Sequence, residues 1–307
     1  MKVHIYLICY TLCIITSCTL QKPDKRYDIT VTEPTFVNKS PKVLYDEAHL
    51  NTHKANRTYK PFIDLIVNDG YVVSINKEKF STKQLLNYDL LVICNAKSDK
   101  TQPRDIGAFT KKECKILNQW VNDGGSLLLI ADHHPFGLAN KSLALTFGVE
   151  MGCGTVRDAS DSNKNRKGEI EFSRKNRLLE EHPINYGNHA SERINTVITF
   201  TGQSLKGNKE TKSLLKLGPN AMEVRPDSLW NVKGKNYISF SQPKSVKGLS
   251  QAISVEYGKG KVVVLGEAAA LSAQKLFGRK FGMNYPKNTD NRQFALNIMH
   301  WLTPDEF

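Results

Sequence analysis

The sequence has too few cysteines outside its first residues to form a disulfide framework. Six cysteines occur among 307 residues, and three of them lie within the first 18 positions. The other three, Cys94, Cys114 and Cys153, are an odd number without CxxC spacing, so at most one bridge can form. The chain must therefore be held together by a hydrophobic core, and it is long enough to bury one.

Acidic residues are also scarce relative to basic ones. Asp and Glu number 30 against 43 Lys and Arg, which gives a net charge of +13. Such a balance can indicate nucleic-acid binding, but the basic residues are scattered and lack aromatic interleaving or a helix-turn-helix pattern. We therefore expect no nucleic acid partner, and we interpret the charge as a solvated surface that faces anionic lipid headgroups or acidic polysaccharide.

No apolar run of the sequence is long enough to cross a bilayer as a helix. The apolar stretch at 5–15, preceded by Lys2, has the length and the basic start of a secretory signal sequence. The sequence therefore predicts a signal peptide over residues 1–17.

Residues 15–18 suggest how the mature chain is attached. Ile-Thr-Ser-Cys at these positions resembles a bacterial lipobox, in which Cys18 becomes the first residue and carries the lipid, including palmitate. Ordinary cleavage with an incidental Cys18 is the alternative. The polar segment 18–39 has no apolar periodicity and is expected to be a tether. These patterns predict a bacterial lipoprotein of the cell envelope, anchored to the membrane and either periplasmic or surface-exposed.

Common motifs of nucleophilic and phosphate-binding sites are missing. No GxSxG elbow occurs, which argues against a serine hydrolase of the α/β-hydrolase type. The segment 257–261 joins two β patterns and is not followed by GK[ST] and a helix, so it predicts a hairpin and no P-loop. Cys94 ends an apolar run, where a packed small side chain is more common than a thiol nucleophile.

Three short apolar runs each end in acidic or histidine residues. Runs of this kind, followed by glycine or polar residues, predict buried parallel strands that open into loops. Ligands bind at the carboxyl ends of such strands, so the three clusters predict one shared site. The runs and the residues that follow them are 43–45 with Asp46, Glu47 and His49; 127–130 with Asp132, His133 and His134; and 262–265 with Glu267.

Strand and helix patterns alternate along the first half of the sequence. Apolar runs of strand length are separated by amphipathic patterns, and Thr110 is placed to cap a helix with Glu113 as its capping-box partner. Alternation of this kind predicts an α/β fold, a mostly parallel sheet with helices on both faces. We expect one domain over 40–307, with a polar surface excursion around 157–177.

His49 and His53 are four residues apart, so on a helical turn they share one face. This spacing suits two ligands of a divalent metal such as zinc, and Asp132 is a candidate for a third. The HxxxH pattern lacks the glutamate of HExxH, and two exposed loop histidines are the alternative interpretation.

The sequence Asp132-His133-His134-Pro135 is the sharpest local feature. Pro135 disfavours helix at His134, so the polar groups are held on a tight loop just after a buried strand. We predict catalytic roles for Asp132 and His133 and a ligand contact for His134. The alternative is that Asp132 caps the helical segment that follows.

Glu267 follows four apolar residues and one glycine, and it precedes three alanines. A carboxyl group there is desolvated, which raises its pKa or requires a cationic partner. It can be a general base, a metal ligand or a structural acceptor of backbone amides, and we include it among the predicted catalytic residues. Four further polar residues are predicted to contact the ligand, with structural hydrogen bonding as the alternative for each: Glu47, Asn51, Gln274 and Asn284.

Several segments together resemble a known superfamily. The run from Phe109 to His133, the turn 266–269, the segment 282–284 and the helical segment 291–302 are similar to the glutamine-amidotransferase-like (flavodoxin-like) superfamily. They look like an uncharacterised branch of it with a domain of unknown function, related to the gliding-transport and intraflagellar-transport domains. The resemblance covers most of residues 40–303 and implies a flavodoxin-like, class I glutamine-amidotransferase-like fold.

The resemblance does not extend to the chemistry of amidotransferases. Those enzymes place a cysteine in a glycine-rich elbow after a central strand, whereas the turn after Ile130 contains Ala131 and Asp132. This departure argues against glutaminase activity. We expect instead a hydrolase-like polar or metal site at the strand ends, with an unspecified substrate. The alternative is a non-catalytic module of the envelope that binds saccharide or a partner protein.

Overall fold

Strands outnumber helices in this chain, and one large sheet carries the candidate site. The computed structural model describes residues 21–98, 107–160, 168–232 and 235–307. Within these residues the strands, in chain order, are β1 (Lys22–Pro23), β2 (Lys42–Asp46), β3 (Val72–Asn76), β4 (Leu90–Cys94), β5 (Ser126–Ile130), β6 (Val149–Met151), β7 (Thr155–Asp158), β8 (Glu169–Ser173), β9 (Thr196–Phe200), β10 (Leu205–Gly207), β11 (Thr211–Lys216), β12 (Ala221–Val224), β13 (Pro226–Val232), β14 (Lys235–Phe240), β15 (Lys244–Ser245), β16 (Ser250–Tyr257), β17 (Gly260–Leu265), β18 (Ala273–Leu276) and β19 (Arg279–Gly282). The helices are α1 (Lys60–Asn68), α2 (Thr82–Leu85), α3 (Lys111–Asn122), α4 (Phe136–Thr146), α5 (Pro183–Tyr186) and α6 (Asn291–Leu302), and 3₁₀ turns lie at Ala190–Glu192 and Ala269–Leu271.

The largest sheet combines a parallel block with antiparallel strands. Its order is β3-β2-β4-β5-β17-β16-β10-β6, with β11 paired to β16. The five strands from β3 to β17 are parallel neighbours. Strand β16 is antiparallel to β17, and Gly258 joins the two with a φ of +59°. The hairpin predicted at 257–261 is therefore confirmed.

Side chains of the parallel strands alternate between two cores. Leu127 and Leu129 of β5 pack in a core with side chains of α2, α3 and α4, whereas Leu128 and Ile130 pack in a core with α1 and α6. Consecutive strand residues point to opposite faces, so a strand covered on both faces is apolar at successive positions. This explains why the strand runs of the sequence are almost continuously hydrophobic.

Side-chain caps set the starts of two helices. Ser81 Oγ accepts a hydrogen bond from the Gln84 N–H at 3.3 Å at the start of α2. At α3, Thr110 Oγ1 accepts from the Glu113 N–H at 3.1 Å, and Glu113 Oε2 accepts from the Thr110 N–H at 3.0 Å. This reciprocal pair is the capping box that the sequence predicts.

The predicted fold class is wrong, because antiparallel pairing dominates the chain as a whole. Ten of the fourteen strand pairings among the described residues are antiparallel, and the strands are divided among five sheets. Between β6 and β17 the α-helical element described is the four-residue α5. Strands without crossover helices pair with neighbours through turns, which gives antiparallel ladders. The strand and helix alternation of the first half does not continue, so neither a mostly parallel sheet nor a flavodoxin-like fold describes the chain.

The segment predicted to be a tether packs against the domain over its described part. Strand β1 pairs with β18, and the Asp24 side chain is buried. Its carboxylate accepts from Asn284 Nδ2 at 3.0 Å and pairs with Lys275 Nζ at 2.6 Å. Strand pairing uses backbone groups, so polar composition did not reveal it. The predicted signal peptide, 1–17, and Cys18 lie outside the described residues.

Two other expectations concern the polar excursion and the membrane. Of the predicted excursion at 157–177, residues 161–167 lie outside the described residues, and β8 pairs with β9 in a two-stranded sheet. In the part of the chain that the structure describes, no helix is both long and apolar enough to cross a bilayer.

Replacing Asp24 with alanine should loosen the β1 segment. The change removes the carboxylate beside Lys275 and one of the two acceptors of the Asn284 amide, the other being the Gln274 carbonyl oxygen. Leaving a buried donor hydrogen without a partner costs about 1–3 kcal/mol. We expect limited proteolysis within residues 22–39 to become several-fold faster. Asp28→Ala is the matched control, because the Asp28 side chain is exposed and accepts from the nearby Thr30 N–H, while the bond from Arg292 to its carbonyl oxygen is kept. Equal cleavage rates in the two variants would contradict the packing described for Asp24.

Candidate functional site

Asp132 and Glu267 leave neighbouring parallel strands at the same level. Ile130, the last residue of β5, is in register with Leu265, the last residue of β17. Each acidic residue comes two positions later, so the register brings both to the same edge of the sheet. The structure therefore brings together these two members of the predicted site.

Glu267 is buried, and backbone amides hold its carboxyl group. Its Oε1 accepts from the Ala269 N–H at 2.7 Å and its Oε2 from the Ala270 N–H at 2.8 Å. Burial raises the pKa of Glu267 well above its ordinary value, and the negative charge of Asp132 raises it further, while the amide bonds oppose the rise. Burial and the charge of Asp132 therefore both favour the neutral form of the Glu267 side chain.

Asp132 is partly exposed, and its backbone is fixed by two neighbouring side chains. Its N–H donates to Asn95 Oδ1 at 2.9 Å, and its Oδ1 accepts from the His133 N–H at 2.7 Å. Gln203 Nε2 donates to the carbonyl oxygens of Ala131 and Asp132, at 2.6 and 3.0 Å. Desolvation raises the pKa of the Asp132 carboxyl group, and the charge and N–H of His133 oppose that rise.

The two carboxyl groups can divide the roles of an acid and a base. Like charges repel strongly where water is excluded, so ionisation of one group favours protonation of the other. Such a pair holds one proton and presents one carboxylate, which is the arrangement used in acid–base catalysis. Here Glu267 is the buried member and Asp132 the accessible one.

His133 and His134 lie beside Asp132 at partly exposed positions. His133 Nδ1 is 2.9 Å from the carbonyl oxygen of His134. The N-cap position of α4 is Pro135, which makes no side-chain cap bond, so Asp132 does not cap this helix. Asp132 and His133 therefore remain available at the edge of the sheet.

His49 is the centre of a separate, buried network. Its Nδ1 is 2.8 Å from Asp46 Oδ2, and its Nε2 is 2.9 Å from Glu113 Oε1. Only the doubly protonated ring can donate both bonds at once. The ring also packs on Phe80 and Phe109, with centroid distances of 4.8 and 4.7 Å. The network ties the end of β2 to the start of α3.

Glu113 combines two roles that the sequence did not reveal together. It is the capping-box residue of α3 and also the partner of His49. Burial alone raises its pKa, but hydrogen bonds from Thr110 and His49 outweigh that effect and lower the pKa of Glu113 to about 2. The cap was predictable from local spacing, whereas His49 lies 64 positions away and gave no local signal.

His53 does not share the network of His49. The helical-face argument for the pair fails, because residues 47–53 are not helical and Leu50 has a φ of +49°. The Nδ1 atom of His53 is 2.7 Å from Thr58 Oγ1. Burial, with a contribution from the charge of Lys97, lowers the pKa of His53 to about 4, so this ring is neutral at pH 7.

The arrangement of possible metal ligands does not support the predicted metal site. Among the described residues, no group of three or more His, Cys, Asp or Glu is arranged to hold a metal ion. His49 would have to release a carboxylate in order to bind one, since both ring nitrogens are engaged. A divalent metal bound by His49, His53 and Asp132 therefore stays a prediction.

Glu47 and Asn51 have partners within the protein. Glu47 accepts from the Ala55 N–H at 2.9 Å and from Lys77 Nζ at 2.5 Å. Asn51 Nδ2 donates to the carbonyl oxygen of Cys94 at 3.2 Å. These bonds fix the loop after β2, so a ligand contact by either residue remains a prediction.

Gln274 and Asn284 lie in another sheet region, around β18 and β19. Asn284 Nδ2 bonds to the buried Asp24 carboxylate. Gln274 is fully buried, and within the described residues neither of its side-chain polar atoms has a hydrogen-bond partner. The structure gives no contact between either residue and the Asp132 and Glu267 pair.

Cys94 is unsuited to nucleophilic catalysis. The side chain is fully buried. Burial raises the pKa of its thiol well above the ordinary value, although hydrogen bonds with Tyr59 and Tyr45 partly oppose the rise. A thiolate, which is the reactive form, is therefore suppressed.

No family model and no curated protein matches the sequence. Among solved structures, the mmIFT52 N-terminal domain is similar with a TM-score of 0.57 at 13% identity, over 85% of this chain and 96% of that domain. A putative ThuA-like protein from Bacteroides uniformis has a TM-score of 0.44 at 15% identity, over 89% of this chain and 93% of that one. A cytoplasmic protein from Salmonella typhimurium has a TM-score of 0.47 at 11% identity, over 86% of this chain and 100% of that one. These similarities concern the fold alone.

The assignment to the glutamine-amidotransferase-like, flavodoxin-like superfamily is wrong. The sheets of the described residues are mixed and mostly antiparallel, and the similarity to the mmIFT52 N-terminal domain concerns the fold alone. Of the segments that carried the resemblance, only Phe109–His133 contains a strand of the parallel block, and parallel strands flanked by helices occur in many unrelated α/β proteins. Lipidation at Cys18 is a separate matter and stays a prediction.

Replacing Glu113 with alanine should destabilise the protein by about 3–5 kcal/mol, because it leaves His49 with one buried carboxylate fewer. Thr110→Ala is the matched control, since it removes the cap bond but keeps the carboxylate, and it should cost about 1 kcal/mol. Chemical denaturation measures both. Equal losses would mean that Glu113 acts as a helix cap only.

Replacing Glu267 with glutamine should change how stability depends on pH. The folded-state pKa of Glu267 is raised, so the folded chain holds a proton that the unfolded chain has lost above about 4.5. Wild-type stability therefore falls as pH rises from that value towards the folded-state pKa, by up to about 1.4 kcal/mol per pH unit.

Denaturation at a series of pH values measures this difference. The glutamine side chain does not titrate, so the variant does not lose stability in this way. The free energy of unfolding of the variant should therefore increase relative to that of the wild type as pH rises. A constant offset is expected as well, because the amide NH₂ cannot accept from a backbone N–H. A difference that is flat between pH 4 and pH 8 would contradict the protonated state of Glu267.

Proposed function

We propose that the strand ends form a hydrolase-like acid–base site in which Asp132 and Glu267 are the catalytic carboxyl groups. The observation that carries the proposal is their pairing. They follow neighbouring strands in register, they interact electrostatically, and only Asp132 is partly exposed. His133 adjoins Asp132 and is proposed to orient the substrate or the attacking water.

The proposed chemistry uses water as the nucleophile. Asp132, as the accessible carboxylate, accepts a proton from water, and the hydroxide equivalent attacks the substrate. Glu267, as the proton-bearing acid, supplies a proton to the leaving group, directly or through one water. Positioned proton transfer of this kind contributes roughly 10²–10⁴-fold to a rate. The inert Cys94 thiol supports water over an enzyme thiol as the nucleophile.

A non-catalytic module that binds saccharide or an envelope protein is the second candidate. It is favoured by one observation, namely that both Glu267 oxygens accept backbone amides at 2.7 and 2.8 Å. In that case Glu267 is a structural acceptor, and Asp132, His133 and His134 form a polar contact surface. His133 and His134 would then bind the ligand without changing it.

The proposal for location rests on the sequence. We propose that Cys18 carries a lipid anchor, because residues 15–18 resemble a lipobox after an apolar stretch at 5–15. The protein is then attached to the bacterial envelope, on the periplasmic side or at the surface. Glutaminase activity is not part of the proposal, since the turn directly after β5 contains Ala131 and Asp132 and no cysteine.

Parallel variants can separate the two candidates. The protein is screened with chromogenic glycosides, esters and amides, and the best substrate is tested with Asp132→Asn and Glu267→Gln. We expect each change to lower kcat by about 100-fold or more. Asp64→Asn, which alters an exposed pair with Lys60 on α1, is the control and should retain activity.

The outcome for Glu267→Gln is decisive. If saccharide or protein binding is found without turnover, and Asp132→Asn weakens it while Glu267→Gln does not, the binding module is the correct function. Activity that survives both substitutions would overturn the acid–base site.

A further inference from the structure

A row of three lysines crosses the small sheet formed by β1, β18 and β19. Lys22 is the register partner of Lys275, and Lys275 is the register partner of Lys280. Residues directly opposite each other on neighbouring strands point to the same face. The three side chains are therefore neighbours on one surface, which we call the lysine row.

The side chains of the lysine row repel one another. Like charges directly opposite one another destabilise a sheet. Asp24 offsets part of the charge by pairing with Lys275 at 2.6 Å, but Lys22 and Lys280 are exposed. A surface of this kind is stabilised when an anionic partner lies against it.

The hairpin that carries two of these lysines ends in an exposed aromatic residue. Phe277 is 85% exposed and has a φ of +49°, and Gly278 has a φ of +78°. Two-residue turns with positive φ strongly favour Asn-Gly, and a bulky residue in this conformation is strained. Burial of the phenylalanine ring does not offset this backbone strain, because the ring is exposed to solvent. An exposed, strained phenylalanine at a tip is therefore a candidate for contact with an apolar partner.

The position of β1 in the chain points to a membrane as that partner. Lys22 comes four positions after Cys18, and four residues of extended chain span at most about 14 Å. If Cys18 carries the proposed lipid anchor, the lysine row lies close to the bilayer. This step rests on the proposed anchor, whereas the charge and the aromatic tip do not depend on it.

We propose that the β18–β19 hairpin docks on an anionic bilayer. Phe277 enters the interfacial layer, where aromatic side chains are favoured, and Lys22 and Lys280 contact the phosphates of anionic headgroups. The lysine row supplies charge complementarity and Phe277 supplies apolar contact. Docking fixes the orientation of the domain relative to the membrane, which a flexible anchor alone does not.

The test uses the chain without the predicted signal peptide, residues 18–307, because the apolar stretch at 5–15 would itself bind vesicles. An environment-sensitive fluorophore is placed at the tip. For this, Phe277→Cys is labelled in a background where Cys18 is serine, since Cys94, Cys114 and Cys153 are buried. The probe is a vesicle of phosphatidylcholine with or without one third phosphatidylglycerol. We expect a blue shift and a several-fold rise in emission with the anionic vesicles only, lost at high salt.

Two variants identify the groups responsible. Lys22→Glu with Lys280→Glu should abolish the shift, while the melting temperature is retained. Leu86→Cys is the matched control for the label, because Leu86 is 75% exposed in a different part of the chain. Its fluorophore should not respond to vesicles. Phe277→Asn is compared with the unlabelled wild type by co-sedimentation with vesicles. It suits the turn better and should raise the melting temperature, while it reduces binding to anionic vesicles at least several-fold.

Each remaining outcome overturns the proposal. No shift on vesicles, an equal shift at Leu86→Cys, or an equal shift with neutral lipid would do so. A shift on heparin but not on vesicles would assign the surface to acidic polysaccharide instead. Lipidation of unaltered Cys18 is measured separately by mass spectrometry, so failure of the anchor and failure of the docking surface are distinguishable. The labelled protein has no anchor, because Cys18 is replaced by serine, so its response to vesicles reports on the hairpin alone.

Discussion

Desolvation of carboxyl groups at the ends of the parallel strands is the constraint on which the site depends. Strands covered on both faces carry Asp46, Asp132 and Glu267 to the edge of the core, where a carboxylate needs donors, a proton or access to water. Asp46 has the imidazole of His49, Glu267 has two backbone amides and a raised pKa, and Asp132 reaches solvent. The three carboxyl groups lie at the same edge of the sheet, but they differ chemically because each is compensated in a different way.

The part of the fold that could be predicted is the part whose signals are local. Each parallel strand is apolar at consecutive positions, and the Thr110 and Glu113 pair marks the start of α3 within four residues. The antiparallel part could not be predicted in this way. Val156 of β7 is in register with Glu223 of β12, and the polar segment that contains β8 pairs with β9. These contacts join short strands across long separations in sequence, and neither strand carries a signal for its partner.

The candidate site, like the fold, could be predicted only in part. The approach of Asp132 and Glu267 was predictable, because strand ends of a parallel sheet meet at one edge. Their surroundings were not, since Asn95 and Gln203 contribute through bonds to the backbone of residues 131–132. The spacing of His49 and His53 led to a wrong expectation of a shared face, because a four-residue separation indicates a shared face only in a helix. The loop after β2 bends at Leu50 instead and turns His49 into the core.

The proposed acid–base site and the proposed docking hairpin both contact the 3₁₀ turn that follows Glu267. The amides that bind Glu267 belong to the 3₁₀ turn Ala269–Leu271, and Asn291 Nδ2 donates to the Ala270 carbonyl at 3.1 Å. At the end of β19, Gly282 has a φ of +82° and fits against the carbonyls of Ala269 and Ser272, where a Cβ atom would collide with both. Ionisation of Glu267 strengthens its amide bonds, because charged acceptors bind more strongly. The protonation state of Glu267 therefore also bears on the turn 269–271, against which Gly282 of the hairpin packs.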